Sequence, residues 1–301
     1  MSVLTTVDLA VKYRRTTALD HCTLDIPEGG ITALVGANGA GKTTLLNCAV
    51  GLTKATTGQI TLLDGLAAGS NEARHRVAFV AQDAPLYRNL RVAEIVELTG
   101  HLNRTFDRRL ATQRLATVGI SLKQRVGGLS LGQQAQVSLT MALAKHPELL
   151  ILDEPLARLD PIARRDFMAL VLTAASDDGV SVLYSSHVVS ELEHVADFLV
   201  ILSKGKVLVA EAVDVFVSDH RMFSGPVETL DHVWRNSDLL DVRRAGRQAQ
   251  VLIRTRPSDP LSLDGWEEDD TTLEELIVAY LGGTAAPVSP DLTMLLNASR
   301  E

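Results

Sequence analysis

The sequence predicts an α/β fold: a mainly parallel sheet with helices packed on it, a helical insertion, and a small C-terminal α+β appendage. Three observations carry this. Strand-sized apolar runs alternate with helical patterns between residues 149 and 209, which is how a parallel layer is built. A glycine-rich loop joins the buried run Ile31–Val35 to a helical pattern from Lys42. A second buried run, Leu149–Leu152, ends in Asp153-Glu154.

The elements follow in order. Residues 1–35 read as strands with a turn at Pro27-Glu28-Gly29-Gly30. Lys42 to about Val50 reads as a helix stopped by Gly51, and strand signals return at Gln59–Leu63 and Val77–Ala81. From Val92 to Val118, Leu, Ile and Val recur three or four apart, and a second helical stretch runs from Gly132 to Lys145 before His146-Pro147. Residues 86–146 therefore read as a mostly helical insertion. Strand 149–152, helix 162–175, strand 180–185, helix 188–196 and strands over 198–209 complete the layer. Beyond it, Ser218–Glu228 reads as loop and short strand. Asp241–Thr255 reads as a hairpin turning at Arg244-Ala245-Gly246-Arg247, and Thr272–Leu281 as a helix stopped by Gly282-Gly283. This divides the chain into a domain over 1–212 and an accessory unit over 213–301, in whose core Trp234 and Trp266 are expected.

The 301 residues are 46% hydrophobic and 22% charged, a globular composition that excludes disordered and fibrous classes. No apolar run approaches the ~20 residues of a spanning helix, and the N-terminus does not read as a signal peptide. The chain is therefore expected to stay where it is made. Two cysteines, Cys22 and Cys48, exclude a disulfide framework. The net charge of −8 is uneven: residues 211–301 hold 17 carboxylates against 8 cationic side chains, leaving the rest close to neutral. A phosphate backbone demands clustered Lys and Arg, so no nucleic-acid partner is expected.

Gly36-Ala37-Asn38-Gly39-Ala40-Gly41-Lys42-Thr43-Thr44 follows a buried strand and opens a helix. Glycines let successive N–H groups converge on phosphate oxygens, and the helix N-terminus adds partial positive charge. Lys42 can reach β- and γ-phosphates, and the Thr43 hydroxyl can ligate Mg²⁺. Asp153 and Glu154 leave a strand end, where α/β sheets place ligands. Asp153 suits a metal and Glu154 suits a general base. Taken singly, these are a glycine turn and a solvated acidic turn bent by Pro155. Together they point to nucleoside triphosphate hydrolysis.

Four further features line up: Gln82 after a strand, Leu129-Ser130-Leu131-Gly132-Gln133 before a helix, Leu159-Asp160-Pro161 after the acidic pair, and His187 at a strand end. In order and spacing they resemble the Q-loop, signature, D-loop and switch histidine of ATP-binding-cassette (ABC) ATPases, which have the P-loop NTPase fold. Lys12-Tyr13 resembles the aromatic position that stacks on adenine. The resemblance covers about residues 3–210. It implies ATP and Mg²⁺ as ligands, with Thr43, Gln82 and Asp153 on the metal, and a head-to-tail homodimer closing on two ATP molecules. Each site then combines one chain's phosphate loop (Gly36, Asn38, Gly39, Ala40, Gly41, Lys42, Thr43, Thr44) with its partner's Ser130, Gly132 and Gln133. Glu154, Gln82 and His187 act in catalysis, and Asp160 crosses the interface. Three positions depart from the family pattern: Leu131 replaces a glycine, Gln134 a basic residue and Arg158 a small one. These bear on the hydrolysis rate more than on ATP binding.

The stretches Glu154–Arg165, Ser185–Glu193 and Leu273–Leu281 resemble the ATPase subunits of bacterial ABC-2-type exporters of the drug- and antibiotic-efflux kind. That implies a separate multi-span membrane permease and a cytoplasmic location on the inner face of the membrane. Residues 84–90, apolar and aromatic with one Arg, are the candidate docking segment. Two other readings stay open: a soluble ABC ATPase outside transport, and an ATP-gated interaction protein that hydrolyses weakly.

Overall fold

The computed structural model describes residues 1–82, 86–189, 192–230, 239–254 and 265–282. Its centre is a six-stranded sheet of β3 (Ile31–Val35), β6 (Val77–Val80), β7 (Leu149–Asp153), β8 (Ser181–Ser186), β9 (Phe198–Ser203) and β10 (Lys206–Ala212), in the order β10-β9-β3-β8-β7-β6. All neighbours are parallel except β10, which returns antiparallel beside β9. The inner strands β3, β7 and β8 are buried along their whole length, as strands covered on both faces must be. Alternation divides them between two cores. Ala33, Val35, Leu150, Leu152, Val182 and Tyr184 face one side, while Leu34, Leu149, Ile151 and Leu183 face the other.

On the second side lies an antiparallel sheet of β1 (Ser2–Tyr13), β2 (Thr16–Pro27), β4 (Thr57–Leu62) and β5 (Leu66–Ala67), in the order β2-β1-β4-β5. Helix α1 (Lys42–Ala49) is packed with it through Leu45 and Leu46. A short helix, α2 (Asn71–Arg76), capped by the Ser70 side chain, leads into β6. The helical insertion is α3 (Val92–Leu102), α4 (Arg108–Thr117) and α5 (Leu131–Leu143), joined around Val92, Leu115, Val126 and Val137. The pattern read as continuous from 92 to 118 breaks because Asp107 caps a new helix, accepting from Leu110 N–H at 2.9 Å. Helix α6 (Pro161–Ser176) joins β7 to β8 on the first side.

After β10 come α7 (Val213–Ser218), β11 (His220–Pro226), β12 (Leu239–Ala245), β13 (Gln248–Arg254), β14 (Glu267–Asp269) and α8 (Leu273–Gly282). The four strands form an antiparallel sheet, β12-β13-β11-β14. Ala249, Val251 and Ile253 join Phe223 and Trp266 in a small core, as the alternation predicts. Leu252, on the opposite face, is also buried, and together with Phe216, Leu276, Ile277 and Tyr280 it belongs to the core of the central sheet. The appendage is thus docked on the cassette. Trp234 lies outside the described residues. The segment read as a helix over 188–196 forms turns in its described part, with Leu192 N–H on Val189 C=O at 2.8 Å, and Ser190 and Glu191 lie outside the described residues. Cys22 and Cys48 are free and buried, and burial pushes the Cys48 thiol up to about 11.

Candidate nucleotide site

The site lies at the carboxyl ends of β3, β7 and β8. In the loop after β3, Gly39 and Gly41 have φ of 80° and 110°, a region that costs a side-chain-bearing residue energy. A Cβ on Gly36 would lie 2.3 Å from the Leu202 carbonyl oxygen, and one on Gly41 2.6 Å from that of Ala18, so both are pressed against backbone. Around Gly39 there is open space on the exposed side, alongside Ala37 and Asn38. Gly41 caps α1 with no side-chain hydrogen bond, so the N–H groups of its first turn have no protein cap there. Thr43 is exposed and Thr44 half-buried on that turn, while Ala40 is buried. This cradle fits a polyphosphate.

Lys42 bends back over the loop, donating to Gly36 C=O at 2.7 Å and meeting Glu154 Oε1 at 3.2 Å. Both side chains are nearly enclosed, at 5% and 10% exposed, so each charge depends on the other. Glu154 Oε2 also accepts from Gln82 Nε2 at 3.3 Å and sits 3.0 Å from His187 Nδ1. Four residues from four separate segments thus meet at one carboxylate. Glu154 has φ +46°, the left-handed region that a non-glycine residue occupies at a cost of about 1–3 kcal/mol. Its N–H is held by Ser185, through Oγ and the carbonyl oxygen, each at 3.1 Å. The Ser185 hydroxyl donates to Asp153 Oδ1 at 2.7 Å, fixing that buried carboxylate. The parallel register that sets Asp153 beside Ser185 makes this possible. In sequence Ser185 stood out only as a small polar neighbour of His187, because its partners lie more than thirty residues away.

The remaining predicted residues have local roles. Ser130 caps α5: its Oγ accepts from Gln133 N–H at 3.2 Å, and Gln133 Oε1 accepts from Ser130 N–H at 3.0 Å. A Cβ on Gly132 would fall 2.6 Å from Ala163 Cβ, so close packing of α5 on α6 needs glycine there. Asp160 caps α6, Oδ1 accepting from the Ile162 and Ala163 N–H groups at 3.0 Å. Tyr13 ends β1, 48% exposed, with its hydroxyl 3.5 Å from Thr53 Oγ1. Among the described residues, no hydrogen bond or ion pair joins Tyr13, Ser130, Gly132, Gln133 or Asp160 to the Lys42–Glu154 group.

The three departures from the family pattern share one place. Leu131, Gln134 and Arg158 line a single groove of about 380 Å³, together with Gln82, Arg88 and Phe167. Leu131 is 53% exposed at the first position of α5, and Gln134 donates to Leu129 C=O at 2.9 Å. Of the expected docking segment, Ala84 and Pro85 lie outside the described residues. Leu86 and Leu90 pack on the helical core, and Tyr87 is exposed.

A glycine cradle at a helix start after β3, with carboxylates at the end of the parallel strand β7 one strand removed, defines a P-loop nucleotide-binding cassette. Residues 19–157 match the ABC transporter family, and the chain belongs to that family. It is 31% identical to the bacitracin transport ATP-binding protein BcrA of Bacillus licheniformis, over 69% of each chain. With the lantibiotic transport ATP-binding protein SrtF of Streptococcus pyogenes it shares 30% identity, over 79% of this chain and 98% of that one. The aliphatic sulfonates import ATP-binding protein SsuB of Cupriavidus necator is 38% identical over 82% of each chain. Among solved structures, the ATP-binding cassette MJ0796, dimeric in a post-hydrolysis state with ADP and Pi, aligns at a TM-score of 0.62. The identity there is 25%, over 70% of this chain and 98% of that one. The chain is accordingly an ATP-binding subunit of a transporter, in a family that hydrolyses ATP to power transport.

Proposed function

We propose that the chain powers a membrane exporter by ATP-driven closure of a homodimer. The observation that carries this is the meeting of Lys42, Gln82 and His187 on Glu154. In the proposed reaction the phosphate loop binds the triphosphate, and Lys42 transfers from Glu154 to the β- and γ-phosphates. Glu154, released from that cation, accepts a proton from a water attacking the γ-phosphorus. The bond to the β–γ bridging oxygen breaks, and ADP and phosphate leave. Gln82 and His187 orient the water and Glu154. Mg²⁺ would be held by Thr43, Asp153 and Gln82, and supplies charge neutralisation at the phosphates. One carboxylate with hydroxyl, amide and substrate oxygens is a donor set of the kind Mg²⁺ accepts.

The dimeric state of the MJ0796 cassette supports a site completed by Ser130, Gly132 and Gln133 of a second copy. Tyr13 is assigned to adenine and Asp160 to the interface. Among the described residues no helix is long and apolar enough to cross a membrane. The transport path is assigned to a separate permease. The chain would then sit on the cytoplasmic face of the membrane. Export is favoured by BcrA and SrtF, whose names refer to bacitracin and lantibiotic transport. Division at residue 212 into cassette and accessory unit is part of the same reading. Steady-state ATPase assays and size-exclusion chromatography of wild type and Glu154→Gln test it. Wild type should hydrolyse ATP, and the variant should accumulate as an ATP-bound dimer. A variant that turns over at the wild-type rate would sink the assignment.

A further inference from the structure

We infer that Glu193 is a positioning residue through which the C-terminal helix α8 holds His187 in place, so the accessory unit tunes hydrolysis. This rests on the role proposed for His187. Val189 stands two residues after His187, and its C=O accepts from the N–H groups of Leu192 and Glu193 at 2.8 and 3.2 Å, which ties the turn at 192–195 to the residues beside His187. Glu193 is half-buried, and its Oε1 accepts from Leu273 N–H at 3.2 Å. Leu273 is the first residue of α8, and that N–H is one of the four that a helix start leaves without an internal partner. The other end of α8's first turn is closed locally: Thr272 and Glu275 exchange bonds in a capping box. Glu193 is therefore an added acceptor, 80 residues away in sequence. It also places negative charge at the positive end of the helix.

Apolar contact reinforces the bond. Val189 and Leu192 lie in the same buried cluster as Leu273, Leu276, Ile277 and Tyr280 of α8. The end of the turn is tied as well, since Asp197 C=O accepts from Val213 N–H, the first residue of α7, at 2.9 Å. The His187 imidazole itself is 42% exposed, and among the described residues its hydrogen-bond partner is Glu154. Its place against Glu154 thus depends on the turn behind it, and that turn is held by the accessory unit.

The test uses the full chain. Glu193→Ala should lower kcat for ATP about fivefold, the worth of one buried-end hydrogen bond, with KM unchanged within twofold. Glu193→Gln keeps an oxygen acceptor and should restore kcat to within twofold of wild type. Hydrogen exchange supplies a readout independent of turnover: amides 192–197 should exchange faster in Glu193→Ala and return to wild-type protection in Glu193→Gln. Unchanged kcat and exchange in Glu193→Ala, or no rescue by Gln, would each overturn the inference. His187→Ala runs alongside: if it hydrolyses ATP at the wild-type rate, the role of His187 has failed; if it collapses while Glu193→Ala does not, only the positioning role has.

Discussion

Two regions bury charged groups in opposite ways. At the nucleotide end of the central sheet, Lys42, Gln82 and His187 all lean on one carboxylate, and Glu154 carries it from a left-handed backbone. In the docked C-terminal unit, partners are dedicated. His220 Nδ1 lies 2.5 Å from Phe216 C=O and Nε2 lies 2.8 Å from the Tyr280 hydroxyl, which fixes a neutral ring that donates through Nδ1 and accepts through Nε2. Arg254 meets Glu211 at 2.7 Å and Asp219 at 3.6 Å. Burial pushes the Tyr280 hydroxyl up to about 12 and holds the His220 imidazole down at about 4. The contrast separates chemistry from cement. A shared partner can be given up to a substrate, whereas dedicated partners close a junction.

The contrast ranks the expected effects of breaking each region. Glu154→Gln should lower kcat about 10²- to 10⁴-fold, the range for a lost general base, and should also lower thermal stability, because the nearly enclosed Lys42 loses its counter-charge; steady-state kinetics and thermal melts check both. Phe216→Ala should cost stability alone. Phe216 is fully buried where α7 meets the central core, and its loss should cost about 3–5 kcal/mol in urea unfolding, with nucleotide binding retained below the transition.

The pH response sharpens the same point. Because the folded-state pKa of His220 lies below its unfolded value of 6.5, the unfolded chain binds the extra proton first. The stability tied to the neutral ring is whole above pH 6.5 and is lost as pH falls from 6.5 to 4. It amounts to at most about 3 kcal/mol, an upper bound from the linkage relation. Urea titrations at several pH values should show this slope in wild type and a flatter one in His220→Gln. Smallest of all, Leu131→Gly should change kcat by less than about threefold. The exposed, apolar Leu131 side chain lines the Gln82 groove, and the helix-propensity cost of glycine there is about 1 kcal/mol.

Much of the site could be read from local sequence. Residues 36–44 and 149–154 are contiguous, so strand, loop, helix start and acidic pair declare themselves by neighbours alone. The hairpin of β12 and β13 was legible in the same way, with Ala245 opposite Gln248 across the turn at Gly246. Expectations failed where a segment's form depends on distant partners. Residues 188–196 have a helical spacing of apolar residues, yet their described part is a 3-10 residue at Val189 and a turn over 192–195. Leu252 sits at a polar-face position of its hairpin and is nevertheless buried, because that face joins the core to which Leu276, Ile277 and Tyr280 of α8 belong.

By itself, then, the sequence determined the α/β order, the phosphate loop, the acidic strand end and the alternation of faces, because each is written within a few residues of chain. The tertiary structure alone decided that Lys42, Gln82, Glu154 and His187 share one carboxylate, that Ser185 steadies Asp153, and that α8 reaches Glu193. Those contacts depend on parallel register and on the packing of elements tens of residues apart. Periodicity shows which face of an element is buried, but not what covers it.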